Sequence, residues 1–169
     1  MSFLKFLGLP KDAKPADDAD TVREISRKLD RLDPAVAAYH ALFACILSRV
    51  AHADLDISEE ETRKMETILQ SLGHLSPEMA ALVVEIAKRQ NQLLGGVENY
   101  LFTRRFKDVS DRTQREHLLE CLLAVAAADE SISTQEDAEI RKIADELEIT
   151  RAQFIAIRSR FRDYLAVLK

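Results

Sequence analysis

Hydrophobic residues recur along this chain every three to four positions, and almost nowhere every two. Val22, Ile25, Leu29 and Leu32 fall at helical spacing, which predicts an amphipathic first helix. Asp33 and Pro34 then read as an N-cap followed by proline at the first helical position. The helix opened there runs from Pro34 to about Ala53 and is apolar on nearly every face, through Val36, Tyr39, Leu42, Phe43, Ile46, Leu47 and Val50. Such a helix belongs in the middle of a bundle. Ser58 begins the next, carrying Met65, Ile68, Leu69 and Leu72, and Gly73 stops it. Ser76-Pro77 opens another, and a connecting helix is expected at about 97–107, after the Gly95-Gly96 pair.

From about Asp111 the pattern starts again. Leu118 to Ala128 is apolar at every position but Glu120, which predicts a second central helix. Ser133 and Thr150 start the last two. The repetition reaches individual residues: "VAHADLDISEEE" (Val50 to Glu61) returns as "VAAADESISTQE" (Val125 to Glu136), with seven of twelve positions identical. Over Ala44–Leu72 and Leu119–Leu147, ten of twenty-nine positions match without a gap. The expected fold is therefore all-α: one bundle of seven or eight helices, built from two pseudo-symmetric units at about 34–89 and 111–168.

Composition narrows the class. The chain has 169 residues, 47% of them hydrophobic, enough for one domain with a core. Residues 1–19, with the linker-like "KDAKPADDAD", read as a flexible N-terminal segment preceding a domain over 20–169. Its apolar start is too short for a signal peptide or a membrane span. A net charge of −5 argues against nucleic acid as a partner. Cys45 and Cys121 sit in apolar helices without a CxxC spacing, as free buried thiols of a reducing cytosol do.

The repeated turn has two readings. Ser58 with Glu61, and Ser133 with Glu136, fit the capping box, in which the cap hydroxyl and the N3 carboxylate satisfy each other's backbone amides. Capping does not call for Asp54 and Asp129, which stand at the ends of apolar helices where the dipole disfavours a carboxylate. An Asx-turn is one partner for such an acid; a cation is the other. The EF-hand pattern is excluded, since Glu59 and Thr134 stand where its glycine belongs, and Met65 and Ile140 where its glutamate belongs. A shorter loop, with Asp before the turn and Glu just inside the next helix, still offers oxygens to Ca²⁺, Mg²⁺ or Mn²⁺. Zn²⁺ would want His52 as well, and His52 is turned to another face from Asp54.

"AHADLDISEEE" and "AAADESISTQE", in a helical chain of this size, resemble the TerB-like family of tellurite-resistance-associated proteins. The resemblance runs from about Pro34 to the C-terminus. It implies an α-helical fold of two related halves, metal sensing or a stress response in the cytoplasm, and a protein partner at the cytoplasmic face of a membrane. Its acidic residues carry over to Asp54, Glu61, Asp129 and Glu136; Asp56 is an additional acid. Where the family has glycine after the aspartate, this chain has Leu55 and Glu130, which would be strained if that position requires positive φ.

No nucleotide loop, nucleophile elbow or zincin motif occurs, so no enzyme is expected. Two functions are carried forward. One is a cytoplasmic cation-binding or sensing module using Asp54, Asp56, Glu61, Asp129 and Glu136. The other is a metal-free interaction module whose acidic turns meet a basic partner.

Overall fold

A computed structural model of the chain describes residues 19–51, 57–89 and 98–168. Eight α-helices occur among them: α1 (Ala19–Asp30), α2 (Pro34–Ala51), α3 (Glu59–Ser71), α4 (Pro77–Lys88), α5 (Asn99–Val109), α6 (Arg112–Ala126), α7 (Thr134–Glu146) and α8 (Arg151–Ser159). Short 3₁₀ turns follow at Ala127–Asp129, Arg162–Tyr164 and Ala166–Leu168. The all-α expectation holds. Boundaries moved by a few residues: the connecting helix runs to Val109, and α6 tightens into a 3₁₀ turn after Ala126.

The cap residues explain where the helices begin. Ser58, Asp111, Ser133 and Thr150 each accept from the N3 amide, and Glu61, Gln114, Glu136 and Gln153 reach back to the cap amides. Ser76 caps α4 with Pro77 behind it. Reciprocal caps satisfy amides that a helix start otherwise leaves unpaired.

α2 is the axis of the fold. It packs against α1, α4, α5, α6 and α7, and Phe43, Leu42, Ile46 and Leu47 on it are wholly buried. Each such side chain contributes about 1.5–3 kcal/mol of burial. By length and composition α2 could span a membrane; here 61% of it is buried within the protein. Tyr39, Phe43 and Phe106 cluster with centroids 5.2 to 6.2 Å apart, Phe43 meeting the other two edge to face.

Polar groups lock the packed helices in register. Arg49, on the last turn of α2, keeps only 3% of its side chain exposed. Its Nε donates to Glu139 Oε1 at 2.8 Å and its NH1 to Glu146 Oε2 at 2.8 Å. Thr103 Oγ1 donates to the same Glu146 oxygen at 2.7 Å, joining α2, α5 and α7. Burial pushes the Glu146 carboxyl up, but the bonds from Arg49 and Thr103 outweigh it and hold it below its ordinary value. Arg158 forks onto buried Asp137 at 2.7 and 2.8 Å, fastening α8 to α7. The C-terminal segment closes on the second turn: Ile132 N donates to Tyr164 O at 2.6 Å, and Ala166 N to Ile132 O at 3.0 Å.

Both cysteines are buried. Burial alone raises the Cys45 thiol far above its ordinary range, and it pushes Cys121 up to about 12.

Candidate functional site

The two copies of the acidic turn meet at a single cleft. Its volume is about 290 Å³, and matched positions from both copies line it: Val50 with Val125, Ala51 with Ala126, Glu61 with Glu136. Asp129 and Lys64 complete its polar wall. The ends of α2 and α6 form its floor, and the starts of α3 and α7 carry the glutamates. Asp54 and Asp56, and with them His52, lie outside the described residues.

Glu61 and Glu136 are each half committed. Glu61 Oε2 accepts from Ser58 N at 2.7 Å, and Glu136 Oε2 accepts from Ser133 N at 2.8 Å. The second oxygen of each carboxylate is not used by the cap. The Ser58 hydroxyl and amide hold the Glu61 carboxyl below its ordinary range, so it is a carboxylate at neutral pH. Asp129 is exposed and makes no hydrogen bond or ion pair with a described residue. The Asx-turn expected for it is thus not formed, and the acid stands unpaired at a helix end.

The residue after it does adopt positive φ. Glu130 has φ 66°, in the left-handed region, where a side chain costs about 1 kcal/mol relative to glycine. That is the position at which the resembled family carries glycine. The turn has the shape such a glycine provides, and this chain pays for it with strain.

Lys64 was not foreseen. It lies one turn beyond Glu61 and pairs with Glu60 at 3.3 Å, placing an ammonium on the cleft wall. An i, i+3 step from Glu61 was the available signal. Among the described residues no three His, Cys, Asp or Glu side chains are gathered closely enough to hold an ion. The described donors, Glu61, Asp129 and Glu136, therefore share a cleft without forming a closed coordination shell.

The family model described as tellurite resistance protein TerB matches residues 40–159. The chain belongs to the TerB family. No curated protein and no solved structure gives a match. The TerB match spans both acidic turns, from α2 to the end of α8, and leaves α1 and the C-terminal 3₁₀ turns outside it.

Proposed function

We propose that this TerB-family protein is a non-catalytic cytoplasmic domain that binds a hard divalent cation in the cleft between its acidic turns. The reading rests on one observation: corresponding residues of the two turns, Glu61 and Glu136, line the same cleft as the unpaired Asp129. Acids repeated in sequence and convergent in space invite one shared cation rather than two separate ones. Carboxylate oxygens suit Ca²⁺, Mg²⁺ or Mn²⁺, and Mg²⁺ in particular keeps much of its water, so it requires few protein ligands. Asp54 and Asp56 are the sequence-assigned acids that would complete the set. Occupancy would be reported to a protein partner, and the family's name ties that role to tellurite resistance.

Calorimetric titration of metal-stripped protein with Ca²⁺, Mg²⁺ and Mn²⁺ tests the reading, beside Asp129→Asn and Asp54→Asn/Asp129→Asn variants. Saturable binding, weakened at least tenfold in the double variant with the fold intact, supports it. Absence of binding to all three ions sinks it.

A second reading is favoured by the exposed acids of the first turn, Glu59 and Glu60, whose side chains are 94% and 80% exposed. In it the turns are a metal-free docking surface for a basic protein segment. Partner capture that persists in chelator, and is lost on Glu59→Lys/Glu60→Lys, distinguishes it.

A further inference from the structure

A second cleft lies toward the opposite end of α2. It encloses about 420 Å³, within the size range of small-molecule sites. Four rings line it: Tyr39 and His40 of α2, His74 of the loop after α3, and His117 of α6. Val36, Leu75 and Val109 supply apolar wall, and no Lys, Arg, Asp or Glu stands among its described lining residues. None of these residues belongs to the acidic turns.

Two polar atoms are left open here. His40 and Tyr39 are each only 9% exposed. The His40 Nδ1 lies 2.7 Å from the Val36 carbonyl oxygen, one turn back on the same helix, a contact that requires the proton on Nδ1. Nε2, on the other side of the ring, is then a bare lone pair. Burial lowers the pKa of this imidazole, which keeps it neutral at pH 7. Among the described residues neither Nε2 nor the Tyr39 hydroxyl has a hydrogen-bond partner, and neither is sealed from solvent. Buried polar groups are ordinarily paired; these two keep their bonding capacity for what enters the cleft.

The rings present both faces and edges. Tyr39 and His40 meet at 83° with centroids 5.2 Å apart, and His74 lies against His117 at 4.5 Å with planes tilted by 57°. Local backbone brings His74 to this place. A Cβ on Gly73 would meet Leu69 O at 2.6 Å and Cys121 Sγ at 3.1 Å, so only glycine lets the loop press against α3 and α6. His74 follows with φ 55°, a left-handed conformation that side chains rarely adopt. Strained backbone of this kind is enriched at ligand sites.

We infer that this cleft binds a small, neutral, planar heteroaromatic molecule of one or two fused rings, which packs on the His74 and His117 imidazoles and donates an N–H or O–H to His40 Nε2. Each part of that description follows from the walls. With no charged side chain among the described lining residues, a charged ligand would lose its hydration without compensation. Aromatic walls favour offset or edge-on contact with another ring. A lone pair without a proton calls for a donor, and the Tyr39 hydroxyl can serve a donor or an acceptor beside it. Such a ligand touches the rings along its whole plane, so the cleft accepts it without rearrangement.

The site is independent of the acidic cleft, and the test separates them. Untagged full chain is titrated with indole, and with benzofuran, which has the shape of indole but an oxygen in place of the N–H. NMR of the imidazole nitrogens follows binding. Indole should saturate one site with a Kd below roughly 1 mM, with shifts at the rings of His40, His74 and His117. Benzofuran should bind about tenfold more weakly or worse, because it leaves Nε2 unpaired. His40→Phe should bind the two alike; where that variant does not fold, the wild-type preference for indole still decides. His74→Gly should weaken indole by about threefold or more through the lost ring contact. It should not lower the melting temperature, because glycine relieves the backbone, so its lost binding cannot be ascribed to unfolding. The Asp129→Asn/Glu136→Gln variant should bind indole as the wild type does. The proposal is overturned by no saturable indole binding tighter than roughly 1 mM, by equal wild-type affinity for indole and benzofuran, by unchanged affinity in His74→Gly, or by indole binding lost in the acidic variant.

Discussion

The two clefts share two helices, α2 and α6, and differ in almost everything else. Val50 and Ala51 floor the acidic cleft from the end of α2, and Val36, Tyr39 and His40 line the histidine cleft from its start. About ten residues of α2, from His40 to Val50, separate them, or roughly 15 Å of helix. α3 contributes Glu61 at its first turn to one and leads, past its last turn, to His74 in the other. α6 offers Val125 and Ala126 to one, and Gln114 and His117 to the other. The acidic cleft is built by repetition, from a turn that is present twice in the sequence. The histidine cleft is built by topology, from three residues with no common motif. Chemistry that comes from a duplicated segment can be seen in one dimension; chemistry that comes from packing cannot.

The largest expected effect tests whether the two ends are held separately. Arg49→Ala would leave Glu139 and Glu146 without their guanidinium and strand a largely buried ionic cluster, at a cost of about 3–5 kcal/mol. Thermal melting measures the loss. Hydrogen exchange should show the amides of Val50 and Ala51 opening before those near His40, because Arg49 ties down only the acidic end.

Gly73→Ala is the counterpart at the other end. The added methyl would press on the Leu69 carbonyl oxygen, a backbone atom that cannot yield cheaply, and should cost about 1–3 kcal/mol. The ring contact between His74 and His117, followed by NMR, should be lost while the acidic cleft keeps its cation affinity. If His74 stays in place, the role given to Gly73 is wrong.

Acid should separate the ends without mutation. Burial lowers the pKa of His40 in the folded protein from its ordinary value of 6.5, so below that value the unfolded chain takes up the proton more readily and stability falls. Glu61 has its folded pKa below the ordinary 4.5, so its contribution is present above that value and is lost as pH falls further. Equilibrium unfolding across pH should therefore show loss beginning near pH 6.5, with His40→Gln flattening that first limb only.

The smallest effect is a gain. Glu130→Gly should stabilise the protein by about 1 kcal/mol by removing a side chain from left-handed backbone. A higher melting temperature with unchanged cation binding would show that the strain at the second turn is incidental. A loss of binding would make the Glu130 side chain part of the site.

The sequence disclosed the helices well because their start signals are local. Ser58, Ser133 and Thr150 announce their caps within three residues, and the apolar faces of α2 and α6 can be counted along the chain. It disclosed Glu61, Asp129 and Glu136 as candidates, but left the conformation of Glu130 open. What it could not disclose was convergence. That Glu61 and Glu136 share a cleft, that Arg49 pairs with Glu139 and Glu146 about ninety residues on, and that His74 meets His117 are products of helix packing. His40, His74 and His117 read as scattered because their separation in sequence has no bearing on their distance in the fold. His40, buried, and His117, half-buried, would pass for core or interface residues on burial alone. Only the open Nε2 and the shared cleft set them apart.

Cys45 and Cys121 are the only thiols in the chain, and both lie wholly inside it. Burial pushes the Cys121 thiol up to about 12, so almost none of it is thiolate at neutral pH. Cys45, raised still further by burial, is scarcer yet. Oxidants and electrophiles that attack sulfur thus find almost nothing on the folded protein to consume. A single cysteine engineered onto the surface would be its one fast-reacting position, ready to carry a reporter to either cleft without removing a native residue.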